Sequence, residues 1–202
     1  LFRSGFEVPY SVAELDAAKA ATVAKMGFKD CYVRPIAWRG SEQMGVSAQA
    51  AKINVAIAVW EWGAYYRDLR LTRAIYQRPA PNTAPVHAKA AGLYMICTIC
   101  KHDAEAKGFG DALMLDYRGY VAETTGANLF FVIKGEIHTP TPDCFLNGIT
   151  RQSVIAIAKE NQGSHLANFI ETGLSVFVAR VSEGHSREKA AELAPQVKAR
   201  LS

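Results

Sequence analysis

Lys89 sits among small residues in Asn82-Thr83-Ala84-Pro85-Val86-His87-Ala88-Lys89-Ala90-Ala91-Gly92-Leu93-Tyr94, after a proline-containing turn and at the start of an apolar stretch that reads as helix to about Lys107. A single lysine in that setting is expected to point into the protein. Taking its ammonium out of water lowers the pKa, and the free amine is then a nucleophile and a Schiff-base former. Lysine is ordinarily exposed, so chemistry at Lys89 rests on the residues downstream of it. Tyr94 lies five residues on, within reach of one ring-sized ligand if both stand on a helix. Glu123 lies in Gly119-Tyr120-Val121-Ala122-Glu123-Thr124-Thr125-Gly126-Ala127-Asn128-Leu129-Phe130-Phe131. Gly148-Ile149-Thr150 opens another helix, whose free first-turn amides, dipole and threonine hydroxyl suit a phosphate. Each has a plainer reading on its own: a surface lysine, a core tyrosine, an exposed strand carboxylate and an N-cap threonine.

The elements that must position these residues can be read from pattern. Ser11-Val12-Ala13-Glu14 has capping-box spacing, and the Ala-rich segment after it predicts a helix to Met26 with Gly27 as C-cap. Cys31 to Arg39 and Ile53 to Trp62 read as strands, the second nearly all apolar and therefore expected to be buried on both faces. Leu69 to Gln77 predicts a further strand, and Arg78-Pro79-Ala80-Pro81-Asn82 breaks regular structure before the Lys89 segment. Ala112 to Asp116 and Tyr120 to Glu123 flank Tyr117-Arg118-Gly119, while Asn128 to Ile133 and Glu136 to Thr139 flank Lys134-Gly135. Both turns carry a glycine where a hairpin needs positive φ, so two antiparallel hairpins are expected. Thr150 to Asn161 reads as a helix closed by Gly163, and Ser186 to Leu201 as a charged amphipathic helix with a possible break at Pro195. Strand runs followed by helices make the class α+β.

In this order, and together with Tyr32-Val33-Arg34-Pro35, Met44-Gly45-Val46 and Trp62-Gly63-Ala64-Tyr65, the segments resemble the branched-chain amino acid aminotransferases of the fold-type IV class of pyridoxal 5′-phosphate enzymes, from about residue 11 to about residue 162. The resemblance implies a two-domain fold like that of D-amino-acid aminotransferase, with a small domain at 1–66 and a large cofactor-binding domain at 67–202. The chain would be incomplete at both ends, with 163–202 unmatched. It further implies Lys89 as the catalytic residue that carries the cofactor and moves the proton between the substrate's α-carbon and the cofactor's C4′. Tyr94 would meet the phenolic oxygen and Glu123 the ring nitrogen. Asn128, Ile149 and Thr150 complete the implied cofactor site. Substrate recognition would fall to Arg34, as a buried receptor for a carboxylate, and to Tyr32, Met44, Val46, Trp62 and Tyr65, as an apolar pocket. The implied reaction is transamination of leucine, isoleucine or valine with 2-oxoglutarate. D-amino-acid aminotransferase and aminodeoxychorismate lyase are similar around the lysine and glutamate, but the Tyr32 to Val46 region favours the branched-chain reading; a non-catalytic fragment is the reading from another class. The resemblance departs at Thr124-Thr125-Gly126-Ala127, where many members carry further acidic residues.

Composition narrows the classes without choosing among them. With 202 residues, half of them hydrophobic, the chain can bury a sizeable core. A net charge of +4, not gathered into runs, gives no footprint for nucleic acid. No apolar run reaches the ~18 residues of a membrane span, and Leu1-Phe2-Arg3-Ser4-Gly5 lacks a signal-peptide layout, so a cytoplasmic protein with no membrane partner is expected. Small amino acids and 2-oxo acids are the expected partners, in a homodimer or dimer-based oligomer. Cys97 and Cys100 share a Cys-x-x-Cys inside a predicted helix with no second pair, so packed thiols and no metal are expected.

Overall fold

Ser11 and Glu14 close the capping box that their spacing predicts. The Ser11 hydroxyl accepts from the Glu14 N–H at 3.2 Å, and the Ser11 N–H donates to the Glu14 carboxylate at 2.7 Å. Helix α1, Val12–Met26, starts there and ends on Gly27 at φ 71°, a left-handed conformation that glycine adopts without penalty. The computed structural model describes residues 5–63, 70–133, 136–160 and 176–180, and the chain divides into two compact units, Leu1–Ala64 and Tyr65–Ser202.

In the first unit, α1 packs against β1 (Tyr32–Arg39) and β2 (Ile53–Trp60). The strands are antiparallel, with Tyr32 opposite Trp60 and Arg39 opposite Ile53. Every residue of β2 keeps some exposure, so the expectation of burial on both faces is not met. Among the described residues this unit has two strands and one helix, too little to cover both faces, and Ile36 and Trp38 on β1 are exposed.

In the second unit, β3 (Leu71–Arg73) runs parallel to β4 (Asp111–Leu115), and β4 pairs antiparallel with β5 (Val121–Thr124). The strand predicted to run to Gln77 is short, but the chain stays beside β4. Ala74 N–H donates to Leu113 O, Arg78 N–H donates to Leu115 O, and Arg78 forms a parallel bridge with Asp116. The turn between β4 and β5 carries Gly119 at φ 88°, while the Asp116 carboxylate accepts from the N–H groups of Arg118 and Tyr120. A second sheet places β6 (Asn128–Ile133) between β7 (Glu136–His138) and β8 (Val176–Arg180). Both predicted hairpins are antiparallel, whereas β8, in the stretch expected to be unmatched and given no strand, pairs parallel to β6.

Among the described residues, helices α2 (Ala91–Ala106) and α3 (Ile149–Glu160) accompany these strands. Strand alternation builds its layers. Ala112 and Met114 of β4 pack on Cys97, Cys100 and Ala104 of α2. Leu113 and Leu115, facing the other way, meet Val121, Leu129 and Phe131, and Phe130 of β6 packs on Val154 of α3. Cys97 and Cys100 are buried free thiols, as expected for packing residues. The Lys134-Gly135 turn, Asn161, Gly163 and the Ser186 to Leu201 helix lie outside the described residues. No helix among the described residues is long and apolar enough to cross a membrane.

Candidate active site

The segment between β3 and α2 is tied down by short bonds. Thr83 N–H donates to Ala80 O at 2.9 Å and Ala88 N–H to Pro85 O at 2.8 Å. Val86 and Ala88 are buried anchors, so their neighbour Lys89 is turned outward. The structure corrects two expectations for Lys89. It precedes the helix instead of opening it, since α2 begins at Ala91 after the N-cap Ala90, and it is exposed, its amine lining an open pocket. The Tyr94 relation survives by other geometry: Lys89 Nζ donates to Tyr94 Oη at 2.8 Å and stands 5.1 Å from the ring centroid.

Glu123 projects from β5 into the same pocket with a side chain only 12% exposed. Its Oε1 lies 3.3 Å from Arg78 Nε, and its Oε2 accepts from Asn128 Nδ2 at 3.3 Å. Burial pushes the carboxyl up to about 7, against the lowering pull of Arg78 and, more weakly, of Lys89. Asn128 acts as a junction. Its Nδ2 also donates to Leu146 O at 3.1 Å, and its Oδ1 accepts from Gly148 N–H at 3.2 Å.

Gly148 comes so close to Asn128 that a Cβ there would overlap Asn128 Oδ1. The first bond of the helix ladder runs from Gln152 N–H to Gly148 O, which leaves the amides of Ile149 and Thr150 without intrahelical acceptors. Thr150 lines the pocket; the Ile149 side chain is 84% exposed, so that residue can serve only through its backbone. Buried Arg151 fixes the start of α3 from behind, donating to Thr139 Oγ1, Asn147 Oδ1 and Pro140 O. One pocket thus presents an amine, a phenol, a carboxyl that titrates near neutrality and a helix N-terminus. That set can bond a carbonyl carbon, orient an aromatic hydroxyl, meet a basic ring nitrogen and cradle a phosphate.

Sequence reading missed Arg78. It is 4% exposed, lines the pocket and donates from Nη1 to Cys97 Sγ at 3.2 Å. In sequence it stands in a proline-rich break with no periodicity to mark it.

The residues expected to recognise substrate, Tyr65 apart, lie in the first unit, and only some come together. Tyr32, Trp60 and Trp62 form a ring cluster, with Tyr32 centroids 4.9 Å and 4.8 Å from the two tryptophans. The Arg34 guanidinium stands 5.2 Å from the Tyr32 centroid and 5.4 Å from that of Trp60. Arg34 is exposed, not buried as expected, because it sits on a two-stranded sheet where aromatic faces are its cover. Met44 and Val46, at 90% and 108% exposure, take no part in the cluster, and Tyr65 lies outside the described residues. Trp60 was not singled out in the sequence, although its place opposite Tyr32 follows from the register.

Asp116, Asp143 and Cys144 bring potential metal-binding atoms within 4.8 Å of one another. Arg118 already bridges the two carboxylates at 2.8 Å and 2.5 Å. Burial pushes the Cys144 thiol up to about 12, which opposes the thiolate that a metal would need.

Residues 3–175 match the model of the amino-transferase class IV family. The probable branched-chain-amino-acid aminotransferase of Rickettsia conorii is 38% identical over 158 residues, covering 77% of this chain and 54% of its own. Among solved structures, the branched-chain aminotransferase from the thermophilic archaeon Thermoproteus uzoniensis with norvaline superposes with a TM-score of 0.75 at 36% identity, over 78% of this chain and 55% of that one. An aminotransferase from Brucella abortus bound to the co-factor PLP gives a TM-score of 0.72 at 30% identity, over 96% and 78%. The chain spans about half the length of the curated relatives it matches. With a match over most of its length and the pocket just described, the chain belongs to the amino-transferase class IV family.

Proposed function

We propose that the chain binds pyridoxal 5′-phosphate at Lys89 and that the whole protein transfers the amino group of leucine, isoleucine or valine to 2-oxoglutarate, giving branched-chain 2-oxo acids and glutamate. The observation that carries this reading is the convergence of Lys89 Nζ, Tyr94 Oη and the Glu123 carboxylate in one pocket. The fit extends to the phosphate end, where Gly148 leaves no room for a side chain and the Ile149 and Thr150 amides lack intrahelical acceptors. Relatives that are branched-chain aminotransferases, and a structural neighbour bound to the cofactor, support the same assignment.

When bound, the cofactor supplies an aldehyde that takes up the amino group and a ring that withdraws electrons from the α-carbon. Lys89 Nζ would be the nucleophile that holds the aldehyde and, as a free amine, the group that takes up and returns a proton at the substrate's α-carbon. Tyr94 Oη, within hydrogen-bond distance of that amine, orients it and would meet the phenolic oxygen. Glu123 would hold a proton on the ring nitrogen by Coulomb attraction, and Asn128 keeps the Glu123 carboxylate turned to the pocket. Thr150 and the Ile149 amide would hold the phosphate. In the first unit, Arg34 is a planar receptor for a carboxylate, and Tyr32 and Trp62 offer apolar surface to an aliphatic side chain. Assembly is as a homodimer or dimer-based oligomer. An amino-donor screen with 2-oxoglutarate tests the proposal. Leucine, isoleucine and valine should outpace D-alanine and other donors; preference for a D-amino acid would reject the substrate assignment.

A further inference from the structure

Arg78 is held from three directions. Its N–H donates to Leu115 O at 2.8 Å, its backbone bridges to Asp116, and its Nη1 donates to Cys97 Sγ at 3.2 Å. Its Nε lies 3.3 Å from Glu123 Oε1, yet that N–H has no aligned hydrogen-bond acceptor. A thiol is a weak acceptor. The guanidinium is thus desolvated, and Glu123 is its ion-pair partner among the described residues. Desolvating a cation is costly unless it is paired, so Arg78 and Glu123 hold each other in place.

The groups that face Glu123 are Arg78, Asn128 and, across the pocket, Lys89, with the Cys97 thiol beside Arg78. Lys89 is the cation whose charge the proposed chemistry makes variable, because an amine bonded to a carbonyl carbon carries a charge only while that nitrogen is protonated. Arg78 keeps its charge throughout. We propose, resting on the pyridoxal 5′-phosphate reading above, that Arg78 is a positioning residue of the site, anchored on β4 and Cys97 so as to keep the Glu123 carboxylate ionised and aimed into the pocket when Lys89 no longer supplies a charge. Burial drives the Glu123 carboxyl upward and Arg78 is the first group opposing it. Burial likewise pushes the Cys97 thiol up, so Cys97 stays neutral and does not compete for the guanidinium as an anion.

The test is the dissociation constant of pyridoxal 5′-phosphate against pH, read from the visible absorption of the bound cofactor. It is measured for the unmodified chain, Arg78→Lys, Arg78→Met, Arg78→Gln and Glu123→Gln. In the unmodified chain, affinity should weaken on the acid side as Glu123 gains its proton. In Arg78→Met that weakening should begin about one pH unit or more higher, with about tenfold lower affinity at neutral pH, as expected from removing a neighbouring opposite charge. Arg78→Gln, which keeps a donor for Cys97 Sγ, should behave as Arg78→Met does and serves in its place if the methionine variant does not fold. Arg78→Lys should restore the position of the acid limb, and Glu123→Gln should lack it. No visible band in the unmodified chain would overturn the reading of the site and this inference with it. A band in the unmodified chain with an unshifted limb in Arg78→Gln would overturn the role of Arg78 alone. So would uniform weakening at every pH without rescue by lysine, which marks mere packing.

Discussion

Glu123 links the site's chemistry to the stability of the fold. Its carboxyl titrates near 7 when folded and near 4.5 when unfolded. Between those values the folded state holds a proton that the unfolded state has lost. The contribution is therefore fully present below pH 4.5 and is lost as pH rises through 7. Glu123→Gln has no such proton to lose. The cofactor-free variant should gain on the unmodified chain by on the order of 3 kcal/mol between pH 4.5 and pH 8, measured by denaturant titration at both pH values. A constant difference would reject the burial argument. The same variant should lose about a hundredfold or more in turnover, because an amide cannot hold the ring proton. Arg34→Ala should reduce kcat/KM for glutamate about tenfold more than for leucine if Arg34 meets a side-chain carboxylate; equal losses would mean that it binds the α-carboxylate common to both. The sequence pointed to Lys89, Tyr94, Glu123 and Thr150 because they stand in ordered local strings. It did not disclose Arg78, whose meaning depends on a chain bridge to Asp116 and a partner on another strand. It also misread the exposure of Lys89, which Val86 and Ala88 set by being buried.

Among the elements, those governed by local chemistry were legible. The capping box of α1 and its glycine C-cap lie within a few residues of the bonds they make, and the β4–β5 hairpin is marked by Gly119. Ser11→Ala should cost about 1 kcal/mol by removing the side chain that accepts from Glu14 N–H, a loss that thermal unfolding would register. β8 was not legible, since a parallel strand is defined by a remote partner, here β6, and carries no turn signal of its own. The exposure of β2 was missed because an apolar run does not reveal how many layers cover it. The start of α3 joins element to site. Gly148→Ala would drive a Cβ against Asn128 Oδ1 and disturb the tie from Asn128 to Glu123, so pyridoxal 5′-phosphate should bind about tenfold more weakly, on the ~1–3 kcal/mol scale of overpacking. Unchanged affinity would show that the turn yields.

At the scale of the whole molecule, the second unit holds the chemical groups of the pocket and the first holds an aromatic cluster with an arginine stacked on it. The family match runs through both units, from residue 3 to residue 175. The central claim is that Lys89 carries the cofactor. Incubation with pyridoxal 5′-phosphate, reduction with borohydride and peptide mass mapping test it directly. A phosphopyridoxyl adduct confined to the peptide containing Lys89, and absent from Lys89→Ala, is the predicted result; a stoichiometric adduct on any other lysine, or none on Lys89, would contradict it.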